Sequence, residues 1–295
     1  MTKKVVVTAA ALLLGLTIPV SAAEPIEIAK CGSRIPSGQR GVLVANLECD
    51  YRCVLDPSRI CDPDIGQSCS ASGGECREQN TVLESGASLR MNGHTISFAY
   101  EGTAIRCVGD EGGSCRIVGP GAILGGKGTA IGGGSLNVYV RNLAIENTND
   151  AIWTDGRIIA RTLHLGNREE YLRGQKGVHL RDVILGSAGV WSGRNLNAYN
   201  VDAGRGGRIE AEGRIRGRNL RLGYRVHGRD VKLSRSATGD RPSGTTVIAD
   251  RRLRLRHTSV HTIESPTRPR LMASSCEKSV VTGTTESWNT CAEDP

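Results

Sequence analysis

One short pattern of apolar and polar positions recurs through the middle of the chain. It reads Val138-Tyr139-Val140-Arg141-Asn142-Leu143-Ala144-Ile145, and returns as Ile158-Ile159-Ala160-Arg161-Thr162-Leu163-His164-Leu165 and as Val178-His179-Leu180-Arg181-Asp182-Val183-Ile184-Leu185. Looser copies run from Leu196 to Ala203, Ile215 to Leu222 and Leu253 to Val260, and Leu89 to Ile96 and Ile117 to Ile123 fit the same apolar template. Within each copy apolar and polar positions alternate, as in a half-buried strand, but the alternation skips a beat at the Arg-Asn step. Two short strands therefore meet there at a bend. Neither half is long enough for a helix, and the β-branched content favours strand.

The last apolar positions of successive copies fall at 96, 123, 145, 165, 185, 203, 222 and 260, so the unit is about twenty residues and the final step spans two units. One more copy, Val226 to Leu233, follows its predecessor by only 11 residues and is out of phase. A twenty-residue unit of short strands cannot bury its apolar face alone. Stacked on its neighbours it can, which is a parallel β-solenoid. Asn92-Gly93 and Asp155-Gly156 resemble hairpin turns and favour an antiparallel sandwich instead, but a sandwich would not repeat one phrase.

The phrase apolar-x-apolar-Arg-Asn-Leu-x-Ile, with Leu89-Arg-Met-Asn-Gly-His-Thr-Ile96 in a Cys-rich chain, resembles the right-handed parallel β-helix proteins of the pectin-lyase-like superfamily from about Val42 to Ile263. The resemblance implies three parallel sheets per turn and a ladder at one bend, here Asn142, Thr162, Asp182, Asn200, Asn219 and His257. It specifies fold well and function poorly, because that superfamily hosts lyases, hydrolases, epimerases and non-catalytic proteins. The expected fold is all-β: a right-handed, three-sheet solenoid of about eight turns from Leu89 to Ile263, with a disulfide-rich N-terminal insertion and a C-terminal capping tail.

Composition sharpens this picture. The 38 glycines among 295 residues are about twice ordinary usage, and aromatics total 3%. Interior glycines weaken helices by about 1 kcal/mol each relative to alanine, which argues against a helical bundle. Lys3 and Lys4, the apolar run from Val5 to Val20 and the small residues Ser21-Ala22-Ala23 predict a secretory signal peptide over 1–23. Residues 24–264 then form the β-helix, interrupted by a Cys-rich insertion over 50–80, and 265–295 the capping tail. A periplasmic or extracellular monomer without a transmembrane segment is expected.

All ten cysteines follow the signal, an even count that in an exported chain predicts disulfides. Cys107 and Cys115 flank a seven-residue polar loop, and Cys276 and Cys291 stand together in the tail, so both pairs are expected local staples. Cys31, Cys49, Cys53, Cys61, Cys69 and Cys76 leave their connectivity open. They lack the close knuckle spacing of a zinc site. The six histidines show no metal-binding spacing either, so no cofactor or metal is expected.

Charge is the stronger signal. Of 38 basic residues 31 are Arg, and between Asn200 and Arg270 there are 16 Arg and one Lys against 7 Asp and Glu. That stretch carries +10, so the rest of the chain carries −2 of the total +8. Arginine suits bidentate contact with carboxylate, sulfate or phosphate. Export and the scarcity of stacking aromatics point to an anionic polysaccharide or lipopolysaccharide rather than nucleic acid. By strand alternation the Arg at the bend points outward, so Arg141, Arg161, Arg181, Tyr199 and Arg218 form a row at about 4.8 Å intervals, near the scale of one sugar residue. The competing explanation is neutralisation of that row by Glu146, Asp182 and Asp202.

Catalytic signals are weaker. His164, His179 and Tyr171 are the candidates for a polysaccharide lyase, and Asp150 with Asp155 for a glycoside hydrolase, both on a uronate-containing polymer. The adjacent Asp pair, Gly-His-Gly and Arg-Ile-Lys motifs of polygalacturonases are missing from this sequence. Three functions are therefore expected in order: polysaccharide binding without catalysis, a lyase or hydrolase, and a structural or surface protein whose loops alone matter.

Overall fold

The computed structural model describes residues 24–49, 52–53, 76–77, 80–98, 102–126, 128–166, 170–204, 206–238, 245–267 and 269–281. The predicted signal segment, Cys61, Cys69 and Cys291 lie outside the described residues. Every regular element among those described is a strand, and nearly every pairing is parallel.

The strands stack into three ladders, one per face of each turn. The first sheet begins at Arg34–Ile35 and Thr81–Glu84 and climbs through Thr103–Val108, Thr129–Gly132, Asp150–Thr154, Tyr171–Gly174 and Gly189–Ser192. The second begins at Ile26–Ile28 and Arg40–Leu43, then adds Ser88–Arg90, Ser114–Val118 and the front of Asn137–Glu146. The third runs from Leu47–Cys49 through Thr95–Phe98 and Ala122–Leu124 to the back of the same strand. Toward the C-terminus the turns become continuous ribbons: Arg208–Leu222 (15 residues), Arg225–Thr238 (14 residues) and Thr246–Ser265 (20 residues) each pass through all three sheets. Arg270–Met272 and Ser275–Val281 add a further partial turn in parallel.

The skipped beat of the phrase is a left-handed residue at the bend between the second and third sheets. Asn142, Thr162, Asp182, Asn200, Asn219, Arg235, His257 and Ala273 all have φ between 46° and 55°. Asparagine and aspartate tolerate that region best, which is why they recur there. Their side chains face outward or lie half-buried, and Asn200 Nδ2 donates to Asp182 Oδ1 at 2.7 Å. The residues on either side turn inward and stack aliphatic on aliphatic: Val140, Ala160, Leu180 and Ala198 in one column, Leu143, Leu163, Val183 and Val201 in another. Each fully buried aliphatic of this kind contributes about 1.5–3 kcal/mol.

The turn count differs from the expected eight. Strands of the second sheet starting near Ser88, Ser114, Asn137, Arg157, Gly177, Leu196, Ile215, Val231 and Leu253 make nine turns over the same span. The additional one contains the out-of-phase copy. Its first half, Arg225 to Gly228, belongs to the first sheet and its second half, Val231 to Ser234, to the second.

Two disulfides secure the N-terminal turns. Cys107–Cys115 closes the loop as predicted, and Cys31–Cys49 resolves one pair among the six left open. Cys276 is also disulfide-bonded. The chain leaves the solenoid after Leu47–Cys49 and re-enters at Thr81–Glu84, and between them Arg52–Cys53 pairs antiparallel with Cys76–Arg77.

Candidate functional site

Three outward rows of the second sheet build the site. The bend row holds Arg141, Arg161, Arg181, Tyr199, Arg218 and Ser234 in direct register. The middle row holds Ile159, His179, Asn197, Arg216, Lys232, Arg254 and Arg270. The third row, at the corner with the first sheet, holds Arg157 opposite Gly177, then Arg214, Asp230 and Arg252. Between the outer rows lies a groove of about 1070 Å³, lined by eight arginines, Lys232 and His179 against the single carboxylate of Asp230.

Short residues in the middle row make the floor of this groove at one end, where Ile159, His179 and Asn197 lie between longer arginines. Toward the C-terminal end the floor itself becomes cationic. The corner arginines are held by a device built into the backbone. Asn137 Nδ2 donates to the carbonyl of Gly113 at 3.2 Å, while its Oδ1 accepts from the amide of Arg157 at 3.0 Å. Asn195 Oδ1 accepts in the same way from the amide of Arg214 at 2.9 Å. Each Asn stands immediately before the first apolar residue of its phrase.

Of the predicted row, Arg161, Arg181, Tyr199 and Arg218 line the groove, and Arg141 continues the row one turn beyond it. Guanidinium groups one turn apart repel by about 1 kcal/mol even in water-like dielectric. Tyr199 interrupts the row and is flanked on both sides, with Arg181 and Arg218 each 5.8 Å from its ring centroid. The ring therefore separates two cations and engages both. Asp182 Oδ2 lies 3.4 Å from Arg181 Nε, whereas Asp202 pairs with Arg221 on the third sheet at 3.4 Å. Among the described residues, no carboxylate forms an ion pair with Arg141, Arg161 or Arg218.

Sequence reasoning missed the groove's other wall and its floor: Arg157, Arg214, Arg216, Lys232, Arg252 and Arg254. The signal was present in the second position of two phrases, Arg216 and Arg254, outward by the same alternation, and in the residue preceding three, Arg157, Arg214 and Arg252, while Lys232 was hidden in the out-of-phase copy. The lyase candidates do not come together. His164 lies on the third sheet, Tyr171 on the first, and only His179 reaches the groove. Burial, reinforced by the charge of Arg157, pushes the His179 imidazole below its ordinary pKa, and its Nδ1 lies 3.4 Å from Asn197 Nδ2. Asp150 sits on the first sheet, half-buried, with its carboxyl pushed up by desolvation and pulled back by Arg173. Asp155 occupies the following turn.

Among the described residues no cluster of three or more His, Cys, Asp or Glu is placed to hold a metal ion. Nor is any helix there long and apolar enough to cross a membrane. No protein-family model, curated protein or solved structure matches the chain. Fold and site together define the class: an all-β parallel solenoid whose second sheet presents a polycationic groove along its axis.

Proposed function

We propose that this chain is an exported solenoid of the pectin-lyase-like kind that binds an anionic polysaccharide along the groove of its second sheet. The observation that carries the reading is the concentration of eight arginines and one lysine around one continuous groove containing a single acid. Self-repulsion of that density is unfavourable until an opposite charge relieves it. The rungs repeat at about 4.8 Å, so a linear polymer with a carboxylate or sulfate on each sugar can meet one or two cations per rung without bending. The disulfides are compatible with an oxidising, extracytoplasmic setting.

The experiment is titration of polygalacturonate into the full chain over a range of NaCl concentrations. Arg161→Ala with Arg181→Ala should leave the far-ultraviolet circular dichroism unchanged and weaken binding about tenfold at low salt, since two exposed charge-assisted contacts are lost. The log–log salt slope should fall by up to about two units, one for each contact removed. Binding equal to the parent at low salt sinks the assignment.

One observation favours a second reading, a uronate lyase. The His179 imidazole is held below its ordinary pKa in a groove of arginines, and abstraction of a proton beside a carboxylate needs a base in its unprotonated form next to cations. The same mixtures decide it, because a lyase would generate an ultraviolet-absorbing unsaturated product and a binding protein would not.

A further inference from the structure

The first sheet carries a second groove that is chemically unlike the basic one. It encloses about 340 Å³ and is lined chiefly by Trp153, Tyr171, Arg173, Gln175, Trp191 and Glu210. Gly132, Trp153, Arg173, Trp191 and Glu210 occupy successive turns of one outward row. The two indoles are therefore two rungs apart, about 9.6 Å along the axis. Two of the chain's three tryptophans stand here, and Trp153 is 42% exposed although it is among the most apolar side chains available. Gly132 places no side chain beside it on the preceding turn.

Arg173 stands between the indoles in the row, but its head is drawn aside. Its Nε lies 2.9 Å from Asp150 Oδ1 and its guanidinium carbon 4.7 Å from the centroid of Tyr171. Tyr171 in turn lies over Gly189. A Cβ there would come within 2.3 Å of the ring's Cε1, so only glycine lets the tyrosine lie down on the sheet. The charges of this groove are compensated in place: Arg173 by Asp150, and Glu210 by Arg225 at 3.8 Å. Nothing in it selects an anion.

We infer that this face is a binding site for an extended neutral glycan lying along the solenoid axis. Indole faces take the C–H faces of pyranose rings, and two platforms at a two-rung interval meet alternate sugars of a chain with one residue per rung. Gln175 and Glu210 line the same groove and offer polar groups to sugar hydroxyls. An extended peptide fits less well, because its side chains repeat on one face every 6.6–6.8 Å or so rather than every two rungs. The site is independent of the polyanion groove, since it lies on another sheet and uses none of its residues.

The test is intrinsic tryptophan fluorescence of the full chain titrated with cellohexaose, xylohexaose and mannohexaose, with tetragalacturonate as the charged comparison. At least one neutral hexaose should shift or quench the emission saturably below about 1 mM. Trp153→Ala and Trp191→Ala should each weaken that binding about tenfold. The Arg161→Ala/Arg181→Ala variant should bind the hexaose like the parent, and tetragalacturonate should not compete. If Trp191→Ala does not fold, Trp153→Ala decides, its side chain being the more exposed of the two. The inference is overturned if none of the three hexaoses perturbs the emission, if Trp153→Ala binds as the parent does, or if tetragalacturonate displaces the hexaose. None of these results bears on polygalacturonate binding at the second sheet, so the two readings stand or fall separately.

Discussion

His179 is the residue whose surroundings most directly couple the groove to pH. Its folded pKa lies below the ordinary 6.5, because burial and then the Arg157 charge disfavour the imidazolium. The folded state thus holds fewer protons there than the unfolded chain. The stability this group supplies is complete above about pH 6.5 and is lost as pH falls through the depressed folded value. Thermal denaturation between about pH 7 and 5 should therefore show a loss of stability that His179→Gln removes in part. A bound polyanion adds the opposite charge beside the ring and should reduce the loss in the parent. An identical pH profile for parent and variant would show that the ring is not perturbed. At this scale the sequence was readable wherever chemistry and conformation coincide: the positive-φ positions at 142, 182, 200 and 219 are Asn or Asp. It was silent at Arg235 and Ala273, which adopt the same conformation because stacking on the neighbouring turn imposes it, not because the residue prefers it.

The corner asparagines act at the scale of the element. Asn137 joins two turns through its side chain, accepting from Arg157 and donating to Gly113, so the strand Arg157–Leu165 begins at a fixed height above Ser114–Val118 and Asn137–Glu146. Asn137→Ala removes these bonds, together with the one Nδ2 also donates to the carbonyl of Gly112 at 3.2 Å, and should lower stability by about 1–2 kcal/mol in urea denaturation. It should also weaken polygalacturonate binding, because the backbone of Arg157 is no longer tethered at the groove's edge. Unchanged binding despite the lost stability would show that this arginine needs no such support. The same corners explain the misplaced phrase. The alternation of apolar and polar residues restarts at both ends of the second sheet, so Val226 to Leu233, which crosses the corner before it, imitates a copy that crosses the bend after it. The shift in register between Gly228 and Asp230 marks the true corner. Arg221, Ala237 and Ser259 stack in succession, making that turn 16 residues long and the next 22. Apolar spacing alone cannot distinguish the two kinds of corner; the left-handed residue can.

Across the whole molecule the charge is segregated along the solenoid axis, with +10 between residues 200 and 270 and −2 elsewhere. The existence of a parallel stack and a bend row of arginines was legible from one repeated phrase. Its depth as a groove was not, because that depends on short floor residues lying between two walls from different positions of the repeat. Like charges held on a rigid stack repel over a range set by salt. At about 0.01 M the screening length of roughly 30 Å spans some six rungs, and at about 1 M, near 3 Å, it is shorter than one. The parent should therefore gain thermal stability as NaCl rises through this range, and polygalacturonate at low salt should produce the same gain. Arg216→Gln with Arg254→Gln removes two outward cations from the middle row and should raise stability at low salt while flattening its dependence on NaCl. Both side chains are exposed, so little packing is lost with them. If this variant is instead less stable than the parent at low salt, those arginines are holding the fold together. The groove would then have no unrelieved repulsion for a polyanion to remove, and the energetic basis of the binding site would be gone.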